Sequence, residues 1–317
     1  PGVNFNSDPS LVSENTANIA REVGCINTND AESLETLECL QSIPFDTLTN
    51  LSVTASRAAR PPFGEGFFYP TIDGDFLPAR PSELLRAGNF VKDIPIIASW
   101  VANDGAWYAL PSTSTDEEVL ASFGLWLSKL STSTKARLLD LYPITDFAHM
   151  IRESYDGPIS PQYYRAAQMN RDIWFTCPVL DFAWQYFQKG GSASSNIWLY
   201  EHNATRYAPV FEGMGLPMWR VAHLSDIPYV MNNANLEGGA DNSPEQMKLA
   251  REVSRQVIGF VHDASPSEAW PAAFSGISEQ GLSKDSPDQL SIQTFGGPMG
   301  SRAVTVRKGA DTSGSTE

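Results

Sequence analysis

Four histidines in 317 residues are few enough to weigh one at a time. His149 and His262 fall at the ends of helical patterns, where an imidazole meets the negative pole of the helix dipole; that is a structural use. His202 follows the apolar run Asn196-Ile-Trp-Leu-Tyr200 and borders Asn203-Ala-Thr205, which reads as a surface turn. His223 is different. It sits in Gly215-Leu-Pro-Met-Trp-Arg-Val-Ala-His-Leu-Ser-Asp226, an aromatic and methionine-rich loop. A histidine on such a loop can act as a general base near neutral pH if a carboxylate orients its ring. The candidate carboxylate is Asp104, in Asn103-Asp-Gly-Ala-Trp107-Tyr108, just past the strand-like run Ile94–Val101. The carboxyl end of a parallel strand is where open sheets present functional side chains. Both residues also have plainer readings, His223 as a satisfied core histidine and Asn103-Asp-Gly as a turn.

Motifs that are missing narrow the chemistry further. The chain has no HExxH, no CxxC, no P-loop and no GxGxxG after a strand. Metal, redox and nucleotide chemistry therefore have no support, and no cofactor or metal is expected. There is also no GxSxG.

The elements that must position these residues alternate between helix and strand. Asp8-Pro9 opens a helix carrying Leu11, Ile19 and Val23, which Gly24 stops. Asn29 or Asp30 can cap a second helix with Leu34, Leu37 and Leu40. Thr115 to Glu118 reads as a capping box ahead of the stripe Val119, Phe123, Trp126 and Leu130. Ser243-Pro244-Glu245-Gln246 opens a helix with Met247, Ala250, Val253, Val257 and Phe260. Ile94–Val101 and Asn196–Tyr200 are short continuous apolar runs, as parallel strands covered on both faces require. The class is α/β, a mostly parallel sheet flanked by helices. Two convincing central strands are too few for so many helices, so the pattern reads as half of a fold, with the N-terminal half of the sheet missing from this chain.

Four stretches together resemble the C-terminal part of the type-B carboxylesterases, the cholinesterase-like and fungal-lipase-like α/β-hydrolases. They are Pro70-Thr-Ile-Asp-Gly-Asp-Phe-Leu-Pro78; Gly88-Asn-Phe90 leading to Asn103-Asp-Gly105; Phe175-Thr-Cys-Pro178; and Val221-Ala-His-Leu-Ser-Asp-Ile-Pro-Tyr-Val230. Trp270-Pro271 fits the same pattern, and the texture is closest to secreted fungal members. The order of acid after one strand and histidine after the next matches that fold. The resemblance implies that residues 1–275 are the C-terminal part of a catalytic domain, with a terminal strand region and disordered tail over 276–317. It implies that His223 is the general base and Asp104 the acid, where most members carry the longer Glu. Asp226 matches an acidic position and reads as a hydrogen-bonding support. The family's serine lies in a GxSxG elbow that falls upstream of Pro1, and Pro1 itself reads as a cut from a longer chain. The chain alone is therefore expected to be inactive, with an N-terminal portion of the same enzyme as its partner. Trp107, Tyr108, Met218 and Trp219 flank the two positions and would form an apolar pocket for a small uncharged or lipid-like ester, if they are not ordinary core. The alternatives are a non-catalytic adhesion or binding member of the same fold, or an inactive truncated product.

Charge and cysteines bound the setting. With 37 acids against 22 bases the net charge is −15, the wrong sign for nucleic acid or an anionic membrane surface. No apolar run reaches the ~20 residues of a transmembrane helix. Cys25 and Cys39 fall where the family often has a short-range disulfide, the alternative being two reduced thiols; Cys177 is left as a buried free thiol. Asn50-Leu-Ser52 and Asn203-Ala-Thr205 are glycosylation sequons, so Asn50 and Asn203 are candidate acceptors. Together these features suggest an extracellular protein.

Overall fold

The structure, a computed structural model, describes residues 9–26, 31–59, 67–68, 70–124, 127, 130–152, 156–190, 196–275, 277, 289–298 and 300–307. The chain divides into two compact units at Leu84 and Leu85.

The smaller unit is helical. It holds α1 (Pro9–Glu22), α2 (Leu34–Ser42), α3 (Phe45–Ala59) and the first turn of α4 (Pro81–Ala87). Gly24 takes φ +77° and ends α1 in the left-handed cap that glycine enters most easily, with the Cys25 amide returning to the Ala20 carbonyl at 2.8 Å. The expected caps Asp8, Asn29 and Asp30 lie outside the described residues. Ser33 caps α2 instead, accepting from the Thr36 amide at 3.1 Å. Cys25 and Cys39 form a disulfide that ties the end of α1 to α2 across a sequence separation of 14 residues. Closing a loop of that size stabilises by about 3 kcal/mol.

The larger unit is built on one sheet. Its strands are β1 (Ile96–Val101), β2 (Ile197–Asn203), β3 (Gln289–Gly296) and β4 (Arg302–Arg307), in the order β1-β2-β3-β4. The first three run parallel, with Val101 opposite His202 and Tyr200 opposite Gln293, and β4 returns antiparallel to β3. The runs Ile94–Val101 and Asn196–Tyr200 give two of the four strands among the described residues. The other two come from the Ser-, Gly- and Pro-rich segment after residue 275. There the alternation Leu290, Ile292 is obscured by polar neighbours, and Phe295 alone of the described large apolar residues is fully buried. Gly296, at φ +83°, lies where a Cβ would fall 2.8 Å from the Asn203 carbonyl oxygen, so the end of β3 meets β2 at glycine distance. Of the 276–317 stretch expected to hold a terminal strand region and a disordered tail, residues 308–317 lie outside the described residues.

Both faces of the sheet are covered, which explains why β2 reads as an unbroken apolar run. Ile197 and Leu199 pack with Phe175, Trp184 and Phe274 on one side. Trp198 and Tyr200 pack with Val253, Trp270 and Phe295 on the other. The helices of this unit after α4 are α5 (Asp116–Gly124), α6 (Thr132–Leu141), α7 (Pro161–Arg171), α8 (Cys177–Lys189), α9 (Ala208–Gly213), α10 (Ile227–Val230) and α11 (Pro244–Asp263), of which α8 packs on β1 and α11 on β3. The capping box of α5 is reciprocal: the Glu118 carboxylate accepts from the Thr115 amide at 3.1 Å, and the Thr115 hydroxyl accepts from the Glu118 amide at 3.2 Å. Val119 and Phe123 are buried as the stripe requires, and Trp126 lies outside the described residues.

Two expectations are corrected here. His202 is not in a surface turn. β2 continues three residues past Tyr200, and His202 is fully buried on it, its ring 4.4 Å from that of Tyr229. Cys177 is free but exposed, not buried. It opens α8 directly after a π turn over Asp172–Thr176, whose wider ring is closed by the Cys177 amide on the Asp172 carbonyl. Pro178 follows without an amide hydrogen to continue the usual pattern, and the π turn absorbs the change of register.

Candidate active site

Asp104 is delivered by β1. The strand ends at Val101, and one turn of 3-10 helix, Asp104–Tyr108, begins three residues later. The Asp104 side chain folds back so that Oδ2 accepts from the Val101 amide at 2.8 Å, which leaves Oδ1 free to turn toward the next loop. That turn is seated on α7. A Cβ on Gly105 would lie 1.9 Å from the Ala167 carbonyl oxygen and 2.3 Å from the Arg171 amide nitrogen, so the close approach exists because the residue is glycine.

His223 is delivered by the loop that follows β2 and α9. This loop is drawn alongside the end of β1 by Asn103. Its amide donates to the Val221 carbonyl at 2.9 Å, in a parallel bridge between Asn103 and Ala222, and its Nδ2 donates to the Trp219 carbonyl at 2.9 Å. The result is a contact of 2.7 Å between His223 Nδ1 and Asp104 Oδ1. The Asp104 side chain is almost fully buried, while that of His223 keeps 21% of its surface open. The aspartate spans the gap despite being one methylene shorter than glutamate.

A carboxylate only accepts, so its position assigns the hydrogen to Nδ1 and leaves the lone pair on Nε2. An imidazole held this way can take a proton from a hydroxyl at Nε2 and return it to a leaving group, with Asp104 stabilising the imidazolium between the two transfers.

Rings surround the imidazole. Phe175 lies at 4.9 Å between centroids, Trp107 at 5.5 Å and Tyr108 at 6.2 Å. Trp107 and Tyr108 thus both lie beside His223. Trp219 packs against Trp107 at 5.6 Å, and both Trp219 and Met218 are buried in the core next to α7. In the sequence Phe175 stands out only within the stretch Phe175-Thr-Cys-Pro178. It reaches His223 from the π turn, a local rewinding that no hydrophobic period announces. Asn103 and Gly105 likewise carry ordinary turn chemistry in the sequence, and their close approaches appear only in three dimensions.

Asp226 lies behind this pair. Its Oδ2 is 3.5 Å from the Tyr200 hydroxyl, a long contact, and burial raises its pKa, with the neighbouring Asp104 charge adding to the rise. Among the described residues no group of three or more His, Cys, Asp or Glu side chains could hold a metal ion.

The sequence profile of the carboxylesterase family matches residues 5–294. The chain belongs to that family. Among its relatives, the inactive carboxylesterase-like protein VdtD of Byssochlamys spectabilis is 27% identical over 273 residues, covering 83% of this chain and 46% of that protein. A secreted lipase of Arthroderma benhamiae is 26% identical, covering 86% of this chain and 45% of its own length. The crystal structure of Aspergillus niger EstA superimposes with a TM-score of 0.69 at 15% identity, over 96% of this chain and 54% of that one. That likeness establishes the carboxylesterase α/β-hydrolase fold. The chain spans about half the length of the relatives it matches.

Proposed function

We propose that this carboxylesterase chain is the C-terminal part of a carboxylic-ester hydrolase and supplies the histidine and acid of a Ser-His-Asp triad. The observation that carries this reading is the 2.7 Å contact between His223 and a buried Asp104, at the carboxyl ends of β1 and of the parallel bridge beside it. The serine lies outside the 317 residues, because no GxSxG occurs within them and the relatives are about twice as long. The outer edge of β1 pairs with no strand among the described residues, which suits a sheet that continues into an N-terminal portion.

In this mechanism His223 Nε2 takes the serine proton as the hydroxyl oxygen attacks the ester carbonyl carbon. It then gives that proton to the departing alcohol, leaving an acyl-serine. Water repeats the sequence: His223 removes its proton, the carboxylic acid leaves and the serine is restored. Trp107, Tyr108 and Phe175 give the histidine an apolar surround suited to small uncharged or lipid-like esters. The chain alone is inactive on this reading.

The secreted lipase relative, the disulfide and the exposed sequon residue Asn50 support an extracellular setting. Asn203 is a poorer acceptor, being half-buried where a Cβ on Gly297 would meet its amide. No helix among the described residues is long and apolar enough to cross a membrane.

The test is fluorophosphonate labelling of the intact native protein, paired with His223→Ala. A labelled serine in the intact protein, and a loss of about 10³-fold or more in kcat/KM for the variant, are the expected results. Failure of any serine to label, or activity of the variant within tenfold of the parent, overturns the reading. One observation favours a second reading: VdtD, a relative matched over most of the chain, is named as inactive. A folded intact protein that neither labels nor hydrolyses would point to a binding role on the same fold.

A further inference from the structure

Two residues with positive φ bracket the histidine, Arg220 at φ 49° and ψ −118° and Leu224 at φ 68°. The Arg220 conformation is one that glycine enters freely and a residue with a Cβ occupies only when its surroundings hold it there. Those surroundings are visible. Arg220 Nη2 donates to the Met150 carbonyl at 2.6 Å and to Asp156 Oδ2 at 2.7 Å, and lies 3.1 Å from the Tyr164 hydroxyl oxygen. The guanidinium carbon stands 4.8 Å over the Tyr164 ring.

The receiving end is fixed in turn. Asp156 Oδ2 also accepts from the Tyr164 hydroxyl at 2.5 Å and from the Arg152 amide at 2.8 Å, and its side chain has no exposed surface. Tyr164 is buried on α7, one turn from the Ala167 carbonyl on which Gly105 sits. The acid and the base of the candidate pair are therefore referred to one rigid helix. Asp104 is registered by the Gly105 contact, and the loop before His223 is registered by the Arg220 side chain.

We propose that Arg220 is a positioning residue for His223. Its guanidinium, locked on Asp156 and Tyr164, holds the loop backbone in a conformation that arginine does not otherwise favour. That conformation aims His223 Nδ1 at Asp104. The catalytic consequence rests on the hydrolase reading, while the geometric claim does not.

The experiment compares R220G and D156N with the parent in the intact protein. R220G accepts the same backbone without strain and lacks the lock; D156N keeps the arginine and neutralises its anchor. The first readout is the low-field proton resonance of His223 Nδ1–H, assigned by its loss in His223→Ala. It is expected in the parent and should be lost or broadened in both variants, with the larger effect in R220G. R220K, which retains one donor toward Asp156, should recover part of it. Where ester hydrolysis is measurable, kcat should fall by about 10- to 100-fold with KM within about twofold, as displacement of a positioned base predicts. Variants that keep both the resonance and kcat within twofold overturn the proposal. Loss of the resonance in a protein that hydrolyses nothing upholds the positioning role while the hydrolase reading fails.

Discussion

Replacing Gly105 by alanine tests whether the candidate site is set by backbone contact with α7. The added Cβ would lie 1.9 Å from the Ala167 carbonyl oxygen and 2.3 Å from the Arg171 nitrogen, where real contacts stay beyond 3.0 Å. Relief therefore requires the turn or the helix to move by at least about 1.1 Å, and both obstacles are backbone atoms that no rotamer change removes. α7 has little room to yield, since Tyr163, Tyr164, Ala166, Ala167 and Met169 are all buried. Overpacking costs about 1–3 kcal/mol in ordinary cores, and two backbone collisions put this case at the upper end, about 3 kcal/mol. For a unit of this size that corresponds to a Tm lowered by roughly 6–12 °C. All eight tryptophans lie from Trp100 to Trp270, so a melt followed at the tryptophan band of the near-UV circular dichroism reports on the larger unit. The matched control is Gly259→Ala on α11, where a Cβ meets nothing within 4 Å. There the same chemical change should stabilise by about 0.5–1 kcal/mol through helix propensity. A Gly105→Ala protein melting within 2 °C of the parent would refute the close-approach argument.

Two titrations should show in stability with opposite signs. His202 is buried so completely that its pKa falls to about 4, whereas in the unfolded chain it titrates near 6.5. The unfolded state thus takes up the proton first, and its contribution to stability is intact above pH 6.5 and lost as pH falls from 6.5 to about 4. The loss is on the order of 3 kcal/mol. His202→Phe should flatten the Tm–pH curve over that window, and parallel curves for parent and variant would rule the assignment out. Asp226 runs the other way, since burial raises its pKa and the folded state holds the proton longer. Its contribution is present at low pH and lost as pH rises through the raised value. Asp226→Asn should melt higher than the parent at pH 7, the gap closing below pH 4; a variant less stable at pH 7 would show that the carboxylate has a partner worth more than its desolvation.

Much of the fold was legible where local physics is strong. The capping box at Thr115, the N-cap at Ser243 and the terminator at Gly24 declare themselves in three or four residues, and the helices begin and end there. β1 and β2 were legible because strands buried on both faces concentrate apolar residues. β3 and β4 are not legible in the local pattern, since Gln289-Leu-Ser-Ile-Gln-Thr-Phe alternates weakly and the segment around it is polar; only the family resemblance implies strands over 276–317. His202 was misplaced for a related reason. A histidine and an adjacent sequon look like surface, and only the continuing register with Val101 and Phe295 buries His202 in the sheet.

For the site, residue type and geometry divided the information unequally. Acid and base were legible because few side chains can orient and move a proton, and because strand ends are where sheets present them. What brings them to 2.7 Å is written in quite different residues. Asn103 spends its amide and its side chain on two carbonyls of the histidine loop, Gly105 clears the way to α7, and Arg220 holds a backbone angle that its own type disfavours. Each has a common local reading, as turn residue or surface cation, and nothing in its immediate neighbours contradicts that reading. The information lies in pairings between distant segments, such as Arg220 with Tyr164 and His223 with Asp104, whose separations are 56 and 119. It follows that substitutions at Asn103, Gly105 and Arg220 are the ones to examine when a relative keeps the histidine and the acid. A chain can retain both chemical groups and still lose the contact between them.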